Sequence, residues 1–437
     1  MKSLTKSNDA IKKVLYIATG MPILVTALLI FRYGVNVPTF DQWELISYLQ
    51  KMDSNSLGFS DVFAQHNEHR IFFPRLIMLA LAEVTSWNIK IEMIISLVIQ
   101  VISFVFIWKA VARTFEGHKA QVVTLLASIC MFNPMQWENW LWGWQIQWYT
   151  TILGVIVALY FCAYRPLKRR YANHVLSVGG AVFATFSLAG GMAVWPLLLA
   201  MLALRRQTKS FLVYSSVFAV SLLAYANNYH SVMGHTPLRA MFAHQLEFFR
   251  YVTLYLGGAF TNDDQLAPIL GALSIAVFLV LSIKVILDRQ EKFYFWIGTA
   301  SFVLINAIIT GSGRFLLGPE QALASRYTSF SLIWLLSLIV MTTPFVATAI
   351  SKKTAWLQPI VIAGLVGLSS IFTINSIGGI ASAKNKNVHD MQASACLKAS
   401  ATPNSDCFRL VYPSSLESDS RNTRYLNFLK DENLSGF

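Results

Sequence analysis

Long apolar runs constrain this chain more than any other sequence feature. A helix needs roughly 20 apolar residues to cross a hydrocarbon core about 30 Å thick. Of the 437 residues, 55% are hydrophobic and only 13% are charged, about half the charged fraction of a typical soluble domain. We therefore expect an all-α polytopic membrane protein with about 11 transmembrane helices. The predicted spans are residues 14–32, 91–112, 120–134, 149–164, 175–189, 192–204, 210–226, 268–287, 293–310, 327–350 and 355–376.

Basic residues gather in short clusters between these runs, which is the pattern of cytoplasmic loops in membrane proteins. The net charge of +13 therefore records membrane insertion and does not indicate a nucleic-acid partner. No small-residue cleavage site closes the first run, so we expect a retained span and a cytoplasmic N-terminus. The clusters are Lys2, Lys6, Lys12 and Lys13; Arg165, Lys168, Arg169 and Arg170; Arg205, Arg206 and Lys209; and Lys352 and Lys353.

One further apolar segment, residues 71–86, decides the topology. It is short and contains Pro74, Arg75 and Glu83. If it crossed the membrane, the basic sequence RPLKRR would lie outside, whereas an amphipathic helix along the outer surface keeps every basic cluster inside. We therefore predict a first outer loop over about 33–90 with interfacial helices, a membrane domain over 1–380 and a small outer C-terminal tail over 381–437.

Two carboxylates follow the first span directly, in the sequence FDQWE. Asp41 and Glu44 are expected near the membrane–water boundary, where partial desolvation raises the basicity of a carboxylate and suits general-base chemistry. The alternative is that DQWE starts an interfacial helix, with Asp41 at its N-cap and Trp43 at the boundary. Asp41 is a candidate catalytic residue, and Glu44 is a candidate substrate contact.

The sequence QHNEHR places six hydrogen-bonding side chains in a row before the interfacial segment. Glu68 is the second catalytic candidate, and its neighbours are candidate substrate contacts. The histidine spacing is not a zinc signature. These residues are compatible with a divalent cation held partly by a substrate phosphate, and the sequence identifies no other cofactor. The alternative interpretation of QHNEHR is a solvated polar turn. The neighbours are His66, Asn67, His69 and Arg70.

Five tryptophans occur within the thirteen residues QWENWLWGWQIQW. An aromatic belt at the membrane boundary explains such rings, but not the amides and the carboxylate between them. Flat aromatic faces beside amides and carboxylates also suit sugar rings, and Gly143 permits close backbone approach. Both interpretations stay open. The candidate sugar contacts are Trp137, Glu138, Asn139, Trp142 and Gln145.

The outer end of the tenth predicted span carries cations. Arg326 opens that span, and Arg314 lies in the loop before it. Guanidinium groups match phosphate oxygens, so a lipid phosphate at headgroup depth is a natural ligand. A snorkelling anchor is the alternative. Gln321 and Tyr327 are candidate supports of the same site.

The four cysteines divide into two kinds. Cys130 and Cys162 lie inside apolar runs and are expected to be inert, whereas Cys396 and Cys407 lie in the polar tail. On an oxidising outer face the second pair would close a small disulfide loop. Two free thiols are the alternative.

Four motifs in this order, FDQWE, QHNEHRIFFPR, WENWLWGWQIQ and QALASRYT, resemble bacterial and prophage-encoded serotype-converting O-antigen glucosyltransferases. More broadly, a first span followed by a long outer loop that opens with an acidic residue is similar to the GT-C superfamily of polytopic glycosyltransferases. The resemblance covers roughly residues 10–380 and fades in the tail. It implies a GT-C-like bundle, here without the large soluble C-terminal domain of some relatives.

The resemblance further implies an inverting transfer of glucose from undecaprenyl phosphate-glucose to lipid-linked O-antigen, on the periplasmic face of the bacterial inner membrane. Asp41 would deprotonate the acceptor hydroxyl, Glu68 would be the second acidic candidate, and Arg326 would face the donor phosphate. The enzyme would act within membrane lipid and depend on a donor synthase and a flippase. No P-loop or Rossmann signature occurs, as expected for a donor that is not a nucleotide.

Two other functions compete with this hypothesis. A flippase or exporter of lipid-linked sugars would carry polar groups along its spans, whereas this sequence concentrates them on the outer face. An O-antigen polymerase or ligase would act on the same face but would not consume glucosyl-undecaprenyl phosphate.

Overall fold

The computed structural model describes residues 2–230, 237–349, 358–399, 405–412 and 419–437. Across these ranges the chain forms α-helices joined by short 3₁₀ turns, and no strand occurs in them. The basic pair Lys352 and Lys353 lies outside the described residues. The helices are α1 Lys2–Tyr33, α2 Gln42–Asp53, α3 Phe59–Val62, α4 Phe72–Thr85, α5 Ile89–Thr114, α6 Gly117–Met131, α7 Trp137–Trp140, α8 Ile146–Tyr164, α9 Arg170–Thr185, α10 Val194–Leu204, α11 Thr208–Ala226, α12 Leu238–Ala243, α13 Gln245–Gly257, α14 Leu266–Leu287, α15 Tyr294–Arg314, α16 Pro319–Ala322, α17 Ser325–Ala349, α18 Gln358–Ala399, α19 Ser405–Val411 and α20 Asp419–Asp431.

Within the described ranges, eight helical segments are long and apolar enough to cross a membrane. Their outer faces expose large apolar side chains that a soluble protein would bury, such as Leu223 on α11 and Leu287 on α14. The chain is therefore an all-helical polytopic membrane protein. The eight segments are Lys12–Tyr33, Ile89–Thr114, Gly143–Tyr164, Thr208–Ala226, Leu266–Leu287, Glu291–Leu317, Ser325–Ala347 and Ile362–Ala399.

The remaining predicted spans correspond to shorter helices. α6, α9 and α10 have 15, 16 and 11 residues. α9 packs closely on the buried helix α8, where a Cβ on Gly154 would lie 2.7 Å from the Gly180 carbonyl oxygen. Paired small residues let membrane helices approach in this way. The apolar runs predicted the positions of α6, α9 and α10, but the observed ends of these helices depend on how they pack.

The segment that decides the topology, α4, has only 14 residues. It buries Met78, Leu79 and Ala82 against the bundle. Arg75 is also buried, and its guanidinium donates to the backbone carbonyls of residues 61, 62 and 64 while lying 4.7 Å from the centre of the Tyr48 ring. These contacts of Arg75 anchor α4 to the first outer loop.

The basic connectors meet at one end of the bundle. Arg205, after α10, donates to the carbonyls of Cys162 and Ala163 at the end of α8 and pairs with Glu291 before α15 at 2.9 Å. The hydroxyl of Thr114, at the end of α5, lies 3.4 Å from the carbonyl oxygen of Lys292. The first outer loop and the tryptophan-rich segment lie at the opposite ends of these helices, so the two ends of the bundle differ in composition.

The C-terminal region is packed on the first outer loop. α18 runs without a break across the predicted boundary at 380/381, so the expected separate tail begins inside a helix. Cys396 and Cys407 form a disulfide between α18 and α19. The Phe40 backbone N–H donates to the carbonyl oxygen of Val411 at 2.7 Å. The end of α19 is thereby fixed next to Asp41.

Candidate active site

A cavity of about 690 Å³, the large cavity, opens at the end of the bundle opposite the basic connectors. Its lining comes from the first outer loop, the tryptophan-rich segment, the turn before α10, and helices α11, α15 and α17. Sequence positions up to 300 apart therefore converge on one site. Ten of the predicted site residues line it: Asp41, His66, Asn67, Glu68, His69, Trp142, Gln145, Arg314, Arg326 and Tyr327.

The QHNEHR sequence forms a tight turn that places the side chains of His66, Asn67, Glu68 and His69 in the lining of the large cavity. His66 and His69 exchange two backbone hydrogen bonds of 2.8 Å, and Asn67 takes a left-handed conformation with φ of 47°. Asparagine tolerates this conformation better than most residues. The Tyr225 hydroxyl donates to the Glu68 carbonyl at 2.9 Å and accepts from the Arg70 N–H at 3.1 Å. The turn is therefore fixed from α11.

Asp41 and Glu44 share one imidazole. The His66 Nδ1 lies 3.0 Å from a Glu44 carboxylate oxygen, and its Nε2 lies 3.5 Å from a carboxylate oxygen of Asp41. Burial lowers the pKa of His66, but its hydrogen bonds to Asp41 and Glu44 outweigh burial and raise that pKa to about 9. His66 is therefore an imidazolium at neutral pH, with one positive charge between two carboxylates.

Glu68 has a different partner. Arg314 Nη2 donates to its carboxylate at 2.6 Å, and Arg314 Nη1 donates to the Tyr327 hydroxyl at 2.9 Å. Burial raises the pKa of the Glu68 carboxyl, but the nearby His69 and Arg314 outweigh burial and lower it to about 2. Glu68 therefore stays ionised and is a weak proton acceptor.

His69 supports this side of the cavity as a neutral group. Burial, the largest cause, lowers the pKa of His69 to about 4. Its Nδ1 accepts the Ala189 backbone N–H at 3.3 Å, which leaves the ring proton on Nε2, 3.6 Å from the Glu68 carboxylate. Because His69 is uncharged at neutral pH, Arg314 is the cation that holds Glu68 ionised.

A second arginine, Arg326, enters the large cavity from the start of α17. Its Nη1 donates to Glu138 at 3.0 Å and its Nη2 to the Gln321 side-chain oxygen at 3.2 Å. The Asn139 side chain donates to the Arg326 carbonyl at 2.8 Å. These contacts fix the guanidinium and leave other N–H groups of its fork for a ligand.

The side of the large cavity that carries Asp41 depends on a close contact at Gly143. Glu92, buried at the start of α5, accepts hydrogen bonds from Gln42 at 2.9 Å and from the Trp87 ring N–H at 3.0 Å. A Cβ on Gly143 would lie 2.1 Å from the Glu92 carboxylate. Glycine at this position therefore lets Glu92 hold Gln42, the residue after Asp41.

Six predicted site residues lie outside the cavity lining. Arg70 is buried and donates to the carbonyls of Phe63, Tyr225 and Asn227, so it fixes backbone. The buried Asn139 supports α17 and does not reach the space where a ligand would lie. Three of the other four contact lining residues: Glu44 pairs with His66, and Glu138 and Gln321 bind Arg326. The fourth, Trp137, lies in the tryptophan-rich segment.

Sequence reasoning missed part of the lining. Gly190 and Asn306 approach so closely that a Cβ on Gly190 would lie 1.8 Å from the Asn306 side-chain oxygen. The adjacent glycines in LAGGM were a signal for this close approach. Leu222 and Tyr225 line the cavity from a helix that was interpreted only as a span. Hydropathy gives no sign of which side of such a helix faces a ligand.

No group of three or more His, Cys, Asp or Glu side chains is arranged to hold a metal ion in the ranges that the structure describes. The large cavity holds its carboxylates against histidine and arginine instead. This donor set suits an anionic ligand beside a proton acceptor.

The chain matches no protein-family model, no curated protein and no solved structure.

Proposed function

We propose that this protein is an inverting glycosyltransferase that moves glucose from undecaprenyl phosphate-glucose to lipid-linked O-antigen. One observation carries the proposal: a single cavity at the end of a membrane bundle holds the partly exposed Asp41 together with Arg314 and Arg326. A glycosyl phosphate needs cations for its departing phosphate and one base for the acceptor hydroxyl. The large cavity supplies both.

The two arginines are suited to the donor phosphate. Each is held by a carboxylate, Arg314 by Glu68 and Arg326 by Glu138, so neither side chain has to be ordered when a ligand arrives. Their remaining N–H groups would bind phosphate oxygens and stabilise the charge that develops as the C1–O bond breaks.

The lipid part of such a donor also has a route to the site. Leu222 on α11 and Ile309 on α15 both line the large cavity, and they are 41% and 47% exposed. A polyprenyl chain in the bilayer would lie against these side chains while its phosphate reaches the arginines. An enzyme with a water-soluble nucleotide donor would need no apolar entrance.

Asp41 is the base that the geometry favours. In the proposed step the acceptor oxygen attacks C1 of glucose from the face opposite the phosphate, its proton passes to the Asp41 carboxylate, and the C1–O bond breaks to release undecaprenyl phosphate. The positive charge of His66 is divided between Asp41 and Glu44, which leaves this side of the cavity with excess negative charge. Glu68, ion-paired at 2.6 Å, holds Arg314 in place.

The topology that accompanies this proposal has eleven crossings in a GT-C-like bundle of the bacterial inner membrane. It adds α6, α9 and α10 to the eight longer segments. With the basic connectors in the cytoplasm, the large cavity faces the periplasm and α18 ends on the same side. That is the side on which a flipped donor and the growing O-antigen would meet.

The test is transfer by the full-length protein in liposomes that contain radiolabelled glucosyl-undecaprenyl phosphate and lipid-linked O-antigen repeat units. We expect label in the glycan and an equal amount of undecaprenyl phosphate. Movement of the labelled lipid across the bilayer without a new glycosidic bond would contradict the proposal and identify a flippase. Polymerisation of repeat units without consumption of the labelled lipid would identify a polymerase.

A further inference from the structure

A second, smaller pocket of about 220 Å³ lies between the first outer loop and the C-terminal helices; we call it the small pocket. One wall is the face of α2 that carries Trp43, Glu44, Ser47 and Tyr48. The other wall comes from the C-terminal region. Its residues are Tyr412, Arg421, Asn422 and Tyr425.

The chemistry of the small pocket differs from that of the large cavity. Four of its eight lining side chains are aromatic, and the others supply a carboxylate, a guanidinium, an amide and a hydroxyl. Aromatic faces pack on the C–H faces of a sugar ring, while its hydroxyls need donors and acceptors of this kind. The Nε of Arg421 is buried and has no hydrogen-bond partner among the described residues. A hydroxyl or carboxylate of a ligand would satisfy it.

The small pocket adjoins the proposed base. Glu44 belongs to its lining and also lies 3.0 Å from His66, whose other ring nitrogen lies 3.5 Å from Asp41. Asp41 in turn lines the large cavity. The hydrogen bond from Phe40 to Val411 joins the C-terminal helices to the residue before Asp41. A ligand in the small pocket would therefore lie on the acceptor side of Asp41.

The C-terminal wall is held at several points. The Cys396–Cys407 disulfide fixes α19 to α18, and the rings of Trp43 and Phe408 meet edge to face at 5.8 Å. The Ser435 N–H donates to the Ser86 carbonyl at 2.9 Å. A wall anchored in this way is preorganised, which lowers the entropic cost of binding a ligand.

We infer that the small pocket binds one sugar unit of the acceptor glycan and that the C-terminal helices provide acceptor recognition. This inference rests on the proposed function and adds where the acceptor lies. The volume of the small pocket suits a single hexose, whereas the large cavity would take the donor sugar and its phosphate. The glycan would extend from the small pocket past Glu44, so that the hydroxyl to be glucosylated reaches Asp41.

Two substitutions test the small pocket in opposite ways. Tyr425→Ala removes a ring, and Ser47→Trp fills the space without removing any core side chain. Arg424→Ala is the matched control because Arg424 is exposed on α20 and does not line the pocket. For each variant in liposomes, KM is measured separately for glucosyl-undecaprenyl phosphate and for lipid-linked repeat units that lack glucose.

We expect Tyr425→Ala and Ser47→Trp each to raise the acceptor KM roughly tenfold, since one stacking contact is lost or blocked. The donor KM should change less than about twofold, and the control should change neither value. An unchanged acceptor KM in both variants overturns the inference. So does a donor KM that rises together with the acceptor KM in both, because that marks a general structural effect.

A binding measurement separates this inference from the proposed function. Saturation-transfer NMR would record the binding of one-repeat oligosaccharides, released from unglucosylated O-antigen of the source strain, to the protein without donor. Suppose that the unaltered protein transfers no glucose but binds the oligosaccharide, and that both variants lose this binding. The small pocket is then confirmed as a glycan site, and the proposed transferase function is contradicted. If glucose transfer is normal and both variants bind as well as the unaltered protein, the inference falls and the function stands. If the unaltered protein neither transfers nor binds, both fall.

Discussion

Two sides of the large cavity each carry a carboxylate, and their surroundings differ. Asp41 is 32% exposed and lies 3.5 Å from an imidazolium that also serves Glu44. Glu68 is 22% exposed and lies 2.6 Å from the guanidinium of Arg314. One cation serves two carboxylates on the first side, whereas Glu68 has a cation that never loses its proton. Two acidic residues in one cavity can therefore have separate tasks.

Under the proposed function, this difference predicts that Asp41 rather than Glu68 takes the acceptor proton. The ion pair with Arg314 favours the charged form of Glu68, whereas Asp41 shares its one cation with Glu44. The side of Glu68 also carries both arginines, so it is the anion-binding side. Sequence position alone left the two carboxylates as equal candidates.

The largest expected effect comes from removing the base. Asp41→Asn keeps the shape of the side chain and should lower the transfer rate by roughly 10² to 10⁴-fold, the usual contribution of a general base. The matched control is Asp53→Asn at the exposed C-terminal end of α2, the helix that begins directly after Asp41. This variant should retain full activity. The measurement is the transfer rate at saturating donor and acceptor, and retained activity in Asp41→Asn would remove the difference between the two sides.

The anion-binding side should give the next largest effect. Arg326→Gln should slow transfer roughly 10² to 10³-fold, because it removes a donor that stabilises the leaving phosphate. Arg250→Gln is the control, since Arg250 is exposed and pairs with Asp264 away from the cavity. If Arg326→Gln altered only the acceptor KM, the phosphate would bind elsewhere.

Glu68→Gln should have a smaller effect on the rate, of roughly tenfold or less. The amide can still accept a hydrogen bond from Arg314, although it loses the ion pair. A loss as large as that of Asp41→Asn, measured in the same transfer assay, would mean that Glu68 also moves a proton.

The smallest effect concerns stability and pH. The pKa of His66 is raised from 6.5 to about 9, so its stabilising contribution is complete below pH 6.5 and is lost as the pH rises through about 9. Because solvent reaches Asp41 and Glu44 and screens the charges, we expect a loss on the order of 2 kcal/mol across this window. Thermal unfolding in detergent from pH 6 to 10 should show a decline that His66→Gln flattens. Parallel curves for the two proteins would contradict the assignment.

The sequence predicted the helices of this structure better than the tertiary contacts between them. Apolar runs located the helices because hydropathy is a local property, and the four motifs contain nine of the ten predicted residues that line the large cavity. Local pattern could not pair Glu68 with Arg314, which follows 246 positions later. Nor could it separate Trp142, which lines the cavity, from Trp140, which is buried in the core.

The C-terminal region shows the same limit. Its polar composition predicted a tail, but composition carries no information on what the segment packs against. The disulfide joins α18 to α19, and the hydrogen bond from Phe40 to Val411 joins this region to the first outer loop, about 370 positions earlier in the chain. Helix α18 also extends well beyond its apolar part, and the Asn387 side chain in its polar half donates to the Tyr33 carbonyl at the end of α1.

Chemical rescue would distinguish Asp41 from Glu68 as the proposed base. The variants Asp41→Gly and Glu68→Gly each leave room in the large cavity for a small carboxylate, and transfer is measured with increasing formate. We predict that formate restores the rate of Asp41→Gly at least tenfold and leaves Glu68→Gly unchanged, since only the first variant lacks a proton acceptor. Rescue of Glu68→Gly, with none in Asp41→Gly, would contradict the assignment of Asp41 as the base.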